Sequence, residues 1–190
     1  MAHCKRCGKE EFLRGGLCYQ CYQKYGKETS SKLGVSARKN IGLKKANQGE
    51  PNKTLENIRQ IAVNSGKKIK ILVIEDEPSV LESFKMILQI ADIEVVTAPD
   101  GYAGLSWLSP DLDLVFTGFK MPGMNGFEVL KKIKESYPYM PVAIIAAYYP
   151  EGIRKEALEK GAFEYLRKPC LMEEIWELVE RGHALRHKGG

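Results

Sequence analysis

Short apolar runs alternate with helical segments through the last two-thirds of the chain, and this alternation restricts the possible fold more than any other feature. The segments between the runs carry apolar residues at helical spacing. Continuous apolar strands separated by helices are typical of a parallel sheet covered on both faces. The pattern therefore predicts a doubly wound five-stranded α/β domain over residues 68–188. The predicted strands are at 69–74, 94–97, 112–117, 141–146 and 162–166.

The residues before this domain have a different composition. Residues 1–23 contain four of the five cysteines, and residues 24–67 are rich in Lys, Gly, Ser and Asn, which predicts a flexible basic linker. Within that linker, Leu55, Ile58 and Ile61 recur at helical spacing and predict a short helix over 53–64. A helix of this length is marginal in water by itself. We expect it to pack on the following domain or on a partner.

Charge is distributed unevenly along the chain. Residues 1–68 contain 15 lysines and arginines against 5 acidic residues, a net charge of +10. The remaining residues contain 14 basic and 19 acidic residues, a net charge of −5. This asymmetry favours either a basic arm for nucleic acid or an acidic partner, or simply a solvated linker.

Four cysteines are arranged as two Cys-x-x-Cys pairs, Cys4 with Cys7 and Cys18 with Cys21. No apolar run suits a membrane span or a secretory signal, so we expect a cytoplasmic location, where disulfides rarely persist. Four thiolates suit tetrahedral zinc and leave no open coordination position. The spacing predicts a structural zinc module resembling a zinc ribbon or knuckle. Cys170 stands apart, and we interpret it as an ordinary half-buried thiol.

Three motifs occur where predicted strands end. Glu75-Asp76-Glu77-Pro78 follows the first strand, Lys120-Met-Pro-Gly-Met-Asn-Gly126 follows the third, and Lys168-Pro169 follows the fifth. In this order and spacing they resemble the receiver domain of bacterial response regulators. The resemblance implies a flavodoxin-like fold and a phosphoacceptor pocket at the carboxyl ends of the strands. In that family an acidic pair holds magnesium, and an aspartate after strand three accepts a phosphoryl group from a histidine kinase.

The resemblance also assigns the other pocket residues. Glu75 and Asp76 match the acidic pair. Lys168 matches the lysine that contacts the phosphoryl group. Tyr165 matches an aromatic residue that turns inward when a Thr or Ser after strand four moves. For the two remaining carboxylates, two interpretations stay open: they solvate the strand end or pair with Lys168, or they still bind magnesium weakly.

Two pocket positions depart from the family pattern. Gly118 stands at the phosphoacceptor position, and Ala146 stands at the position of the switch hydroxyl. Covalent phosphorylation needs a side-chain nucleophile, which glycine does not supply. Removing one of three crowded carboxylates should also relieve repulsion in the pocket. The sequence therefore predicts a degenerate pocket in a pseudo-receiver domain that is not an enzyme.

Two functions follow from these features. In the first, the receiver-like domain is a phosphorylation-independent protein-interaction module, and the zinc module attaches to another partner. The family's output surface, on the fourth helix, fifth strand and fifth helix, corresponds to residues 153–160, 162–166 and 172–185. Trp176 and Tyr165 are candidate anchors there, or else packing residues. The alternative is a nucleic-acid-binding regulator that uses the basic residues of 1–68, with tyrosines among them to stack on bases.

Overall fold

The computed structural model describes residues 53–147 and 152–187. The four cysteines of the predicted zinc module and the basic linker up to residue 52 lie outside the described residues. The predictions made for them therefore stay predictions.

Helices and strands alternate along the described residues. The helices are α1 Lys53–Ser65, α2 Pro78–Ile90, α3 Gly101–Ser106, α4 Gly126–Ser136, α5 Ile153–Glu159 and α6 Met172–His187. The strands are β1 Lys70–Ile74, β2 Glu94–Ala98, β3 Leu114–Gly118, β4 Val142–Ala146 and β5 Glu164–Arg167. Within these residues, no helix combines the length and apolar character that crossing a bilayer requires.

The five strands form one parallel sheet in the order β2-β1-β3-β4-β5. Alternate side chains of β1 lie on opposite faces of the sheet and belong to different core clusters. Leu72 and Ile74 join the cluster on one face, and Ile71 and Val73 join the cluster on the other. All four are fully buried, which explains why the strand reads as a continuous apolar run. The predicted flavodoxin-like fold is confirmed.

The loop between β3 and α4 is held against the end of the sheet. Asn125 caps α4 by accepting a hydrogen bond from the Glu128 amide, and the Glu128 side chain accepts one from the Asn125 amide. This reciprocal pair fixes the entry to the helix. Gly126 is required here, because a Cβ at this position would lie 2.6 Å from the carbonyl oxygen of Gly118.

Helix α1 packs on the α/β domain, which was one of the two outcomes expected for it. Ile58 is 1% exposed and belongs to the core cluster that also contains residues of α2 and α6. The Asn57 amide donates to Glu180 Oε1 at 2.8 Å, and the Arg59 guanidinium donates to the carbonyl oxygen of Ile90 at 2.8 Å. The segment after the helix turns at Gly66, where φ is +65°. The helix is therefore an integral part of the compact unit Glu50–Gly190.

Candidate functional site

Residues at the carboxyl ends of three strands, β1, β3 and β5, come together at one end of the sheet. Ile74 of β1 pairs with Thr117 of β3, so the next residues, Glu75 and Gly118, are neighbours. Lys168 follows β5, and its Nζ lies 2.8 Å from Glu75 Oε1. The sheet register thus brings together residues that are far apart in the sequence.

Glu75 has an asymmetric environment. The residue is 1% exposed. Its Oε1 accepts from Lys168 and also lies 3.3 Å from the Glu77 amide. Among the described residues, its buried Oε2 has no hydrogen-bond partner. Lone pairs of a buried carboxylate normally find donors, so one oxygen of Glu75 is left uncompensated.

Gly118 accounts for the position of that oxygen. A Cβ built on Gly118 would lie 2.8 Å from Glu75 Oε2 and 3.2 Å from Met121 Cγ. These contacts are tighter than side chains tolerate without movement. The Glu75 carboxylate therefore lies so close to position 118 that a side chain there would force it to move. This consequence of the glycine could not be read from the sequence.

Burial governs the acidity of Glu75. Loss of water contact is the largest influence and raises the pKa of Glu75 above its usual value, while the hydrogen bond and the charge of Lys168 oppose that rise. The net direction is upward. A hydrogen bond with Asp76 adds to this rise. The pocket therefore contains a partly compensated buried carboxyl group rather than an open cluster of charges.

The other predicted pocket residues have separate roles. Asp76 is exposed. Ala146 is buried, and its carbonyl oxygen accepts from the Lys168 amide at 2.8 Å. Tyr165 is 3% exposed and packs edge-on against Phe119, with ring centroids 6.1 Å apart. Gly118 and Ala146 therefore contribute neither a nucleophile nor a hydroxyl to this pocket.

The donor set fits a magnesium ion poorly. Mg²⁺ demands octahedral oxygen coordination, commonly with one or two carboxylates and several waters. Of the two carboxylates that the sequence offered, Glu75 is already bound to the ammonium group of Lys168. An ion would have to displace that ammonium or share the carboxylate with it. The geometry thus favours the ion-pair interpretation of Glu75 over magnesium binding.

Trp176 is not an exposed anchor, contrary to one of the two interpretations. It is 2% exposed, and its indole Nε1 donates to the carbonyl oxygen of Ile87 at 3.0 Å. Tyr165 is also buried, so both aromatics are packing residues. Cys170 is half-buried as expected, and burial raises the pKa of its thiol to about 12. Such a thiol is unreactive.

The fold and the pocket together define a receiver-like α/β domain, and comparison with known proteins identifies the family. The family model for the response regulator receiver domain matches residues 71–180. The chain belongs to this family.

Individual relatives agree with the assignment. Response regulator protein FleR of Pseudomonas aeruginosa is 34% identical over 117 residues, covering 61% of this chain and 24% of that protein. A cyclic di-GMP phosphodiesterase of Thermotoga maritima is 30% identical over 118 residues, covering 62% and 31% respectively. The solved receiver domain protein of Clostridium thermocellum is 35% identical, with a TM-score of 0.58, covering 60% of this chain and 94% of that one. This chain thus spans about a quarter to a third of these curated relatives.

Proposed function

We propose that this chain is a phosphorylation-independent receiver whose domain works as a fixed protein-interaction module. The observation that carries the proposal is the Glu75 carboxylate, whose Oε2 lies 2.8 Å from the position that a Cβ of residue 118 would take and whose Oε1 pairs with Lys168. An internal ion pair thereby holds the lysine that would otherwise meet a phosphoryl group. The pocket needs no covalent modification to keep this arrangement.

The buried position of Tyr165 supports a fixed surface. The family resemblance associates an inward aromatic with the switched state. Here the ring is inside without phosphorylation, in the same core cluster as Ala146. Alanine has no hydroxyl with which to respond to a phosphoryl group. We infer that the aromatic stays inward and that the adjoining surface does not switch.

The proposed interaction surface comprises residues 153–160, 162–166 and 172–185. It is strongly charged: Arg154 donates to both carboxylate oxygens of Glu164, at 3.0 and 3.1 Å. Leu158 and Leu185 are 37% and 53% exposed and replace the two buried aromatics as apolar contacts for a protein partner. Exposed apolar residues within a charged rim are common at transient interfaces.

Treatment with acetyl phosphate tests the proposal. We expect no phosphoryl mass increase in the full chain, with or without magnesium, because Gly118 offers no nucleophile. Intact-protein mass spectrometry measures this, with a phosphorylatable receiver treated in parallel to verify the reagent. A mass increase mapped to Glu75 or Asp76 would overturn the proposal.

Attachment to another partner is assigned to the zinc module. We expect one zinc per chain at Cys4, Cys7, Cys18 and Cys21 after purification without added metal. Serine at all four positions should remove that zinc, because serine does not offer the soft thiolate ligands, while the receiver domain stays folded. Metal analysis with circular dichroism checks both statements. Iron with visible absorbance, or no metal, would contradict the assignment.

The alternative function, nucleic-acid binding, is favoured by the +10 charge of residues 1–68. If it holds, the full chain should bind a labelled oligonucleotide with an affinity that falls steeply as salt rises, because bound phosphates release counterions. Polarisation titrations at several salt concentrations, with single and double strands, measure this. An undetectable signal near physiological salt with both would eliminate the alternative.

A further inference from the structure

A group of potential metal ligands lies at the edge of the sheet opposite the pocket. Asp113 directly precedes β3, whose far end is Gly118. His183 and His187 lie one turn apart near the end of α6. Gly182 lets this helix approach the sheet, because a Cβ there would lie only 3.2 Å from Leu114 Cδ1. Among the described residues, these three side chains form the group whose ligand atoms all lie within 4.8 Å of one another.

Both imidazoles converge on a single carboxylate oxygen. Asp113 Oδ1 lies 2.9 Å from His183 Nδ1 and 2.7 Å from His187 Nε2. The other oxygen, Oδ2, accepts from the Lys70 amide at 2.8 Å. That backbone contact orients the carboxylate, as outer hydrogen bonds orient ligands at metal sites.

The three side chains differ in their exposure to solvent. The side chain of Asp113 is 8% exposed, that of His183 is 17% exposed, and that of His187 is 58% exposed. Two ligands are thus held in the protein, while the third faces solvent. An ion can enter beside His187, and water can complete its coordination there.

We propose that Asp113, His183 and His187 form a zinc site that fastens the end of α6 to the amino edge of β3. Two imidazoles and one carboxylate, with a water in the fourth position, are a ligand set that zinc accepts. Bonds of 2.0–2.1 Å place tetrahedral ligands about 3.3 Å apart, so the two nitrogen–oxygen distances, now 2.9 and 2.7 Å, need to lengthen by only about half an ångström. A solvent-exposed His187 permits that movement.

A change of tautomer lets both imidazoles exchange the hydrogen bond to Asp113 for a bond to zinc. In its neutral form and without metal, each imidazole can donate a hydrogen bond from the N–H that faces Asp113 Oδ1. On zinc binding, that nitrogen offers its lone pair to the metal and the ring carries its proton on the outer nitrogen. Each ring stays neutral, and no redox step is involved.

The test measures zinc in the full chain by equilibrium dialysis after chelator treatment. The variant is His183→Gln with His187→Gln, because glutamine can still donate to Asp113. The matched control is His3→Gln, which removes the third histidine of the chain. We expect the double variant to bind one zinc fewer per chain than the unmodified protein, and the control to lose none. Equal zinc in all three proteins would overturn the proposal.

A second measurement does not depend on the variants folding. In nitrogen-edited NMR of the unmodified chain, zinc should shift the ring nitrogens of His183 and His187. Thermal unfolding should also move to higher temperature with zinc, because only the folded state assembles the site. Zinc that leaves both imidazoles unshifted, bound by thiolates alone, would refute the site without affecting the proposed function of the receiver pocket.

Discussion

Replacing Lys168 with methionine should destabilise the protein by about 3–5 kcal/mol at neutral pH, the range for losing one partner of a buried ion pair. The change leaves Glu75 charged at 1% exposure without its cation. Chemical denaturation of the full chain measures the effect. Lys155→Met is the matched control, because its side chain is 82% exposed and pairs with Glu159 on the same helix. We expect a change within about 0.5 kcal/mol for that control.

The penalty should depend on pH in a defined direction. Burial already raises the pKa of Glu75, and Lys168 opposes the rise, so removing the lysine raises this pKa further. A raised folded-state pKa makes the protein most stable below the unfolded value, and that stability is lost as pH rises through the folded value. The Lys168→Met penalty should therefore shrink in acid and grow toward neutral pH.

The double variant Glu75→Gln with Lys168→Met should recover most of the stability that the single variant loses. A penalty that is flat with pH, or equal to that of Lys155→Met, would show that the ion pair is unimportant.

Replacing Gly118 with aspartate should restore chemistry while lowering stability. The new side chain must displace the Glu75 carboxylate, since a Cβ at 118 lies 2.8 Å from Oε2. Overpacking of this kind costs about 1–3 kcal/mol, and a second carboxylate beside Glu75 adds about 2 kcal/mol more in the absence of magnesium. Gly118→Ala isolates the steric part. Gly118→Asn has nearly the shape of aspartate without its charge, and its amide can donate to Glu75.

Treatment with magnesium and with acetyl phosphate separates the steric effect of a side chain at position 118 from the effects of its charge and its chemistry. Without metal, we expect the order of stability to be unmodified, then asparagine, then aspartate. Magnesium should raise the stability of the aspartate variant alone, because only that variant regains a third carboxylate at the strand ends. Mass spectrometry should show a phosphoryl adduct only on that variant. Phosphorylation of the aspartate variant should change hydrogen exchange little at the proposed interaction surface, because Ala146 provides no hydroxyl to contact the phosphoryl group. Equal stability of the aspartate and asparagine variants without magnesium would disprove the charge argument.

The α/β fold follows from signals that lie within single segments of the sequence. Buried parallel strands are apolar on both faces, so β1, β3 and β4 appear as continuous apolar runs whatever their neighbours are. The helices repeat at 3.6 residues, which is also a local property. Even α1 was predicted over 53–64 and is observed at Lys53–Ser65.

The chemistry missing from the pocket is also a local property. Glycine cannot be a nucleophile in any environment, so the family pattern and one residue suffice to predict the loss at Gly118. The packing of α1 could not be settled in this way. Its apolar stripe suits any apolar surface, and only the folded chain shows Ile58 sharing a core cluster with Trp176. That cluster is also why Trp176 is buried rather than available to a partner.

Contacts between distant segments were decided by the tertiary structure alone. The sequence named Glu75, Asp76 and Lys168 as neighbours but left open which carboxylate meets the lysine. The folded chain buries Glu75 against Lys168 and leaves Asp76 exposed. His183 and His187 lie four residues apart on α6, but Asp113 lies 70 residues earlier than His183, so nothing in the sequence links the three. Periodicity specifies which side of an element is buried. Which side chains then meet depends on strand order, register and the close approach of α6 at Gly182, and these exist only once the whole sheet has assembled.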